Sequence, residues 1–476
     1  MFLRQLFDRY LAQYSYLIGC QRSGEAIVID PERDIDQYTA LAAANDLRIV
    51  AVAETHIHAD FVSGGQEFAA DPKLQLYLSA EGGPDWLYRW PAERPHVHWL
   101  KANQHFFIGN IRFQAIHTPG HTPEHLSFLV QDEGGGADQP MALLTGDFLF
   151  VNDVGRPDLL ESAAGHKGVM EPSARQLAGS LRDTLTAFED YLQILPAHGA
   201  GSACGKALGA VPTTTLGYER RFNQPFRQAL GNAEDFVRTI LSGQPEPPPY
   251  FATMKKVNRD GIRVTGGLAV PRHLNAQELS VIIENDKPAI LDSRADAAAF
   301  AQAHLPGAIH APLHSPFFSV AAGSYLEAEQ KSVVLCENET EAMLAARQLY
   351  RIGLDGLLGW TSPDEVHAHR TATLSHIDFT AFQPQQALQE GAIIDVRTAG
   401  EFALGHVDGA HSFPYTRLKE RLAELPQERR LYIHCGSGKR AALASSYLQL
   451  KGFAVTYVDG VCEDCQRIAQ MEGALA

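Results

Sequence analysis

Thr55-His56-Ile57-His58-Ala59-Asp60-Phe61 follows, one residue on, the apolar run Ile-Val-Ala-Val-Ala at 49–53. Such a run reads as a buried strand, and groups at the C-terminal end of a strand are presented to a cleft. Three further blocks share this character: His117-Thr-Pro-Gly-His121-Thr-Pro-Glu-His125, Leu143-Leu-Thr-Gly146-Asp147 and Leu195-Pro-Ala-His198-Gly199. Any one of these histidines, read alone, is more often a satisfied polar or surface residue than a ligand. Four clusters at strand ends, three of them rich in Gly or Pro, point instead to a metal centre. Around them, residues 1–242 mix short strands (26–30, 49–53, 141–145) with amphipathic helices. The strands lack the regular spacing of one doubly wound sheet, so a layered α/β fold fits the pattern.

In their order and spacing these blocks resemble the metallo-β-lactamase superfamily: H-x-H-x-D, a second His after a T-P-G turn, an Asp after T-G, and a late His. The resemblance covers the first half of the chain. It implies an αβ/βα sandwich with the metal at one edge between two sheets. Dinuclear relatives of the glyoxalase II type carry H-x-H-x-D-H, whose last His helps hold a second metal; that position here is Phe61, which ligates nothing. The sequence is therefore similar to the mononuclear branch, the persulfide dioxygenases. That resemblance implies one Fe(II) per chain on His56, His121 and Asp147. Two imidazoles and a carboxylate with open positions form the ligand arrangement of non-haem Fe(II) oxygenases.

Under the same resemblance His58, Asp60 and His198 fix ligand tautomers or meet the substrate. His117 and His125 read as structural, and His96 and His98 as surface or packing residues. Gly155-Arg156-Pro157-Asp158 is a G-R-x-D element in which Arg156 grips an anionic substrate or pairs with the metal-site carboxylates, a structural salt bridge being the alternative. Pro196-Ala-His-Gly-Ala-Gly-Ser-Ala-Cys204-Gly-Lys206 is similar to the segment found in fused dioxygenase–rhodanese proteins. It makes Cys204 a candidate thiol near the iron, against the alternative of an inert buried cysteine. Cys20 carries no assignment.

Downstream the sequence repeats itself. Ala289-Ile-Leu-Asp292-Ser-Arg294 matches Ala392-Ile-Ile-Asp395-Val-Arg397, and His304-Leu-Pro-Gly307-Ala308 matches His406-Val-Asp-Gly409-Ala410. Ser332-Val-Val-Leu-Cys336 matches Leu431-Tyr-Ile-His-Cys435, each followed by a helical stretch. Strands alternating with helices imply parallel sheets. The expected division is a metal domain at 1–242, a Pro-rich linker at 243–261, and two α/β domains at 262–370 and 376–476.

In the last repeat Cys435-Gly436-Ser437-Gly438-Lys439-Arg440 joins a strand to a helix. Backbone N–H groups of such a loop point inward, the helix N-terminus adds positive potential, and Lys439 and Arg440 reinforce it. All of this favours a thiolate nucleophile. The loop resembles that of rhodanese, which implies Cys435 and Arg440 as catalytic residues and Gly436, Ser437, Gly438 and Lys439 as the substrate cradle. Cys-based phosphatases share the design with five residues between Cys and Arg; here there are four. The middle repeat has Cys336-Glu337-Asn338-Glu339-Thr340-Glu341 instead, and its carboxylates disfavour the thiolate and repel anionic donors. It reads as a silent rhodanese fold. Cys462-Glu-Asp-Cys465 is a lone C-x-x-C.

Composition limits the function classes. A formal net charge of -16 argues against nucleic-acid binding, and no apolar run approaches the ~20 residues of a membrane span. Six thinly spread cysteines suit a reducing cytoplasm better than a secreted scaffold. The expected partners are a low-molecular-weight thiol persulfide, O2, and sulfite or thiosulfate, with the chain forming a homo-oligomer. Two rival readings remain: a zinc thioesterase of the glyoxalase II type, and a redox-sensing scaffold that uses Cys435.

Overall fold

The computed structural model describes residues 1–162, 168–366 and 371–462, so Cys465 lies outside the described residues. The chain divides into two compact units, Met1–Leu268 and Ala269–Ala476. Among the described residues no helix is long and apolar enough to cross a membrane.

The first unit contains two six-stranded sheets. One runs in chain order through Phe2–Asp8, Gln13–Cys20, Glu25–Ile29, Arg48–Ala53, Gln75–Ser79 and Val97–Leu100. The other is ordered Thr214–Thr215, Gln193–Pro196, Ala142–Gly146, Leu126–Asp132, Ile111–His117, His105–Ile108. Alternation along the strands sorts their side chains. Tyr16, Ile18, Ile27 and Ile29 of the first sheet pack with Phe113, Phe128 and Val130 of the second, while Leu17, Val28 and Val52 face Tyr38 and Ala42 of helix Asp36–Ala43. Helix Met170–Leu185 buries Ala174, Leu177, Ala178, Leu181 and Leu185 at helical spacing. These pack with Leu129, Leu143 and Ile194 on the outer side of the second sheet. The result is the expected αβ/βα sandwich.

Four strands end at the clusters picked out in the sequence. Arg48–Ala53 leads into Glu54-Thr55-His56, Ile111–His117 into the turn carrying His121, Ala142–Gly146 into Asp147, and Gln193–Pro196 into His198. The two sheets meet at this edge, where Tyr14 N–H donates to Ala197 O (2.6 Å).

The segment expected as a linker needs correction. Its Pro-rich start is irregular, but Phe251–Asp260 is a helix with Phe251, Met254 and Asn258 buried. The Asn258 carboxamide donates to His58 O (2.9 Å) and Phe61 O (2.7 Å) and accepts from Ser63 N–H (2.9 Å). Further on, Thr265 and Gly266 N–H donate to the Glu67 carboxylate (3.1 and 3.0 Å). This stretch therefore belongs to the metal domain, a fact the preceding prolines hid.

The second unit contains two all-parallel sheets. One is ordered Ala308–His310, Ala289–Asp292, Ser332–Leu335, Leu357–Thr361. The other is ordered His376–Asp378, Val455–Asp459, Arg430–His434, Gly391–Asp395, His411–Ser412. The repeat extends to single hydrogen bonds. Arg294 pairs with Asp292 (2.6 Å) and donates to Ala303 O (2.9 Å), as Arg397 pairs with Asp395 (2.7 Å) and donates to Gly405 O (2.5 Å). His304 Nδ1 donates to Phe300 O (2.8 Å) and His406 Nδ1 to Phe402 O (2.9 Å). The two repeats also touch. Tyr325 stacks on Tyr447 at 3.9 Å and donates to Tyr415 O (2.8 Å), and His310 N–H donates to Ser446 Oγ (2.9 Å).

Candidate metal centre and sulfur loop

His56, His121 and Asp147 are buried, with ligand atoms within 4.8 Å of one another. Hydrogen bonds fix both imidazoles. Thr55 Oγ1 donates to Asp30 Oδ2 (2.8 Å), so it accepts from His56 Nδ1–H (2.9 Å) and leaves His56 Nε2 with its lone pair free. His121 Nδ1–H donates to Arg156 O (2.9 Å), which turns Nε2 toward Asp147 Oδ2 (3.4 Å). His125 Nε2 accepts from Asp147 N–H (3.0 Å) and so holds the carboxylate-bearing residue in place. Gly155 is needed beside it, because a Cβ there would lie 1.7 Å from Asp147 O.

Asp147 is 1 % exposed, and its oxygens face only the imidazoles of His198 (3.3 Å) and His121 (3.4 Å), with no backbone or hydroxyl donor beside them. Burial opposes its charge, but His198 and His121 hold the carboxyl well below the usual range. A buried carboxylate without donors is costly unless a cation stands beside it. Two oriented imidazoles and this carboxylate fit a divalent transition metal.

Phe61 is fully buried with its ring 4.5 Å from that of His58, so hydrocarbon occupies the position of the missing ligand. His58 itself turns away from the triad. Its Nε2 lies 3.1 Å from Asp30 Oδ1 and 3.3 Å from Glu54 Oε2. Burial alone would push His58 down, but these two carboxylates hold it well above the ordinary histidine value. Through Asp30 and Thr55 it braces the tautomer of His56. Asp30 and Glu54 were not singled out in the sequence, where each is a lone acid at a strand end.

His198 Nε2 stands between Asp60 Oδ2 (3.4 Å) and Asp147 Oδ1 (3.3 Å). Cys204 joins Asp60 and His198 in a second buried set with ligand atoms within 4.8 Å. Burial pushes its thiol up to about 12, against the pull of His198. Arg156 is not placed to grip a substrate. It is 1 % exposed, its guanidinium forms two bonds to Asp158 (2.8 and 2.5 Å), and it donates to Ala203 O (2.8 Å) and Pro245 O (2.6 Å). The structural alternative prevails: Arg156 ties the His121 support to the Cys204 loop.

In the second unit Cys435 follows strand Arg430–His434, and helix Lys439–Leu450 begins four residues later. Gly438 turns the chain with φ 80°, where a Cβ would meet Asp459 Oδ1 at 2.4 Å. Ser437 and Lys439 are exposed. Arg440 lies along the loop and forms a double bond pair to Glu401 (2.6 and 2.7 Å). Despite burial, Arg440 holds Glu401 down to about 2. At the matching place in the middle repeat, Glu341 accepts from the Glu337 N–H (3.1 Å), so the chain's own carboxylate fills the cradle. Burial, with Glu341, Asp292 and Glu337 nearby, pushes Cys336 up to about 12.

The profile of the Metallo-beta-lactamase superfamily matches residues 9–198, and that of the Rhodanese-like domain matches residues 275–362 and 381–466. A metallo-beta-lactamase crystal structure from Staphylococcus aureus subsp. aureus COL is 38% identical with a TM-score of 0.66, covering 76% of this chain and 99% of that one. The mitochondrial persulfide dioxygenase of Bos taurus is 31% identical over 166 residues, 34% of this chain and 58% of the bovine protein. A hydroxyacylglutathione hydrolase of Nitrosococcus oceani is 33% identical over 138 residues, 29% of this chain and 47% of that protein. The chain thus spans about half the length of these two curated relatives.

Proposed function

The chain belongs to the metallo-β-lactamase superfamily and carries rhodanese-like domains behind its metal domain, and from that premise we propose that it is a persulfide dioxygenase joined to a sulfurtransferase. The first reaction is R–S–S⁻ + O2 + H2O → R–S⁻ + SO3²⁻ + 2 H⁺. In the second, Cys435 carrying a persulfide gives its outer sulfur to sulfite, forming thiosulfate and the free Cys435 thiolate; the reverse direction is equally balanced.

The observation that carries the reading is the Asp147 carboxylate, buried and faced only by imidazoles, two of them oriented with it as a possible ligand set, with Phe61 where a further ligand would stand. An Fe(II) ion held by His56, His121 and Asp147 would supply the point at which O2 and the terminal sulfur meet. The chain's own residues do the rest. Thr55 and the Arg156 carbonyl keep both imidazoles turned to the site. Phe61 keeps one side dry. His198, between Asp60 and Asp147, holds a proton within reach of the departing thiolate. In the second reaction sulfite attacks the outer sulfur of the Cys435 persulfide and Cys435 leaves as the thiolate, which is the nucleophile in the reverse direction; the amides of Gly436, Ser437 and Gly438 cradle the anion, and Lys439 draws it in.

A second reading, a dinuclear zinc hydrolase, draws on the Asp60, His198 and Cys204 set and on the hydrolase relative. Metal analysis after anaerobic purification separates the two. One iron per chain with O2 uptake on a thiol persulfide is expected; two zinc ions with thioester hydrolysis and no O2 uptake would sink the dioxygenase reading.

A further inference from the structure

We propose that residues 262–268 are a strap that latches onto the first unit when the metal site is loaded. Loading then fixes the point at which the chain leaves that unit, which ends at Leu268. Metal loss frees at most about 24 Å of tether ahead of the second unit, at ~3.4 Å per extended residue.

The strap has no regular secondary structure, and Arg263, Thr265 and Gly266 are exposed. It is held by its backbone. Ile262 N–H donates to Gln66 Oε1 (2.9 Å), and Arg263 O accepts from the Arg33 guanidinium (2.9 Å). Thr265 and Gly266 N–H share Glu67 Oε2 (3.1 and 3.0 Å). Gly266, at φ 79°, takes the left-handed turn by which successive N–H groups meet one carboxylate. The side chains that do the holding are buried: Arg33 is 0 %, Glu67 2 % and Gln66 3 % exposed. Arg33 and Glu67 also pair with each other (3.4 Å). Charge on both makes their bonds to the strap stronger than neutral ones, and peeling the strap away strips a buried carboxylate of two donors.

The two jaws of this latch continue the segments that orient the first metal ligand. Arg33 stands shortly after Asp30, which accepts from Thr55 and through it sets the His56 tautomer. Gln66 and Glu67 lie on helix Gly65–Phe68, just beyond the loop that carries His56 and Phe61. Between these points the segments are bonded to each other: Gly64 N–H donates to Pro31 O (2.7 Å), and Glu32 bridges to Ser63. Gly65 leaves no slack, because a Cβ there would lie 2.6 Å from Glu54 Oε1. A metal held by His56 therefore steadies both jaws, and they part more readily without it. Such coupling acts equally in both directions, so an opened strap weakens metal binding.

The test reads backbone amide exchange of the full chain by mass spectrometry, with Fe(II) added anaerobically or removed by a chelator. Amides of 262–268 are expected to exchange about tenfold faster without metal, at times when helix Met170–Leu185 is unexchanged in both samples. Glu67→Gln and Thr265→Pro are expected to bring the loaded protein to the fast rate and to weaken Fe(II) binding about fivefold or more. Thr265→Pro removes a strap N–H and no side chain of the latch, so it carries the test if Glu67→Gln does not fold. Equal strap exchange with and without metal overturns the proposal. So does a strap that opens only together with helix Met170–Leu185, or a folded variant that exchanges as slowly as the unaltered chain. Zn(II) is run beside Fe(II): a strap slowed by Zn(II) alone sinks the iron reading and leaves the latch standing.

Discussion

Asp147 and Cys336 are both buried acids, and their neighbours decide opposite fates. Asp147 faces two histidines and stays charged, while Cys336 faces three carboxylates and stays neutral. His121→Ala removes an imidazole from the triad, so O2 uptake with persulfide should fall below detection. Transfer of sulfur from thiosulfate to cyanide should stay within about twofold, because Cys435 belongs to the other unit. Cys435→Ser should keep O2 uptake but end at sulfite rather than thiosulfate. Cys336→Ser should alter neither, and mass spectrometry after incubation with thiosulfate should find the extra sulfur on Cys435 alone. Since burial raises Cys336 to about 12 from 9.0, the stability its neutral thiol brings is present below about pH 9 and lost as pH rises toward 12. Denaturation from pH 8 to 10.5 should show that fall reduced in Cys336→Ser. The blocks that hold His56, His121, Asp147 and Cys435 stood out because ligand-type residues recur at strand ends, but singling out these positions took the resemblance to known families. Asp30 and Glu54, which hold His58, did not stand out, because a single acid at a strand end acquires meaning only from its neighbours in space.

At the scale of elements, strand ends were easy to read and the last helix of the first unit was not. Apolar runs closed by Gly or Pro mark their own limits. Helix Phe251–Asp260 follows Pro247-Pro248-Pro249 and has a narrow buried face of Phe251, Met254 and Asn258, one of them polar. Nothing local says that a carboxamide will complete the backbone of the His58–Ser63 loop. Asn258→Ala leaves two carbonyls and one N–H of that loop without partners. The expected cost is about 2–4 kcal/mol of the first unit's stability, read by urea denaturation. Metal affinity should fall with it, while Asn258→Asp recovers only part, since it restores the acceptor but not the donors.

For the whole chain, the internal repeat at 289–336 and 392–435 gave the architecture of the second half directly, down to the paired Asp-x-Arg elements. The sequence suggests a linker at 243–261 before a domain from 262, and the first compact unit runs on to Leu268, because composition marks a flexible-looking stretch but not what it packs on. Each unit has its own cores. Removing metal with a chelator should therefore abolish O2 uptake and lower only the first of two calorimetric transitions, leaving sulfur transfer intact. A single transition moving as a whole would show that the units unfold together.

The tie from Asn258 to the His58–Ser63 loop sets an order for biosynthesis. A chain growing from its N-terminus makes His56, His121 and Asp147 long before it makes residue 258. Until that asparagine leaves the ribosome, the loop next to the first ligand lacks three of its hydrogen bonds. Co-translational folding of the metal domain can reach its final form only when more than half of the protein has been translated.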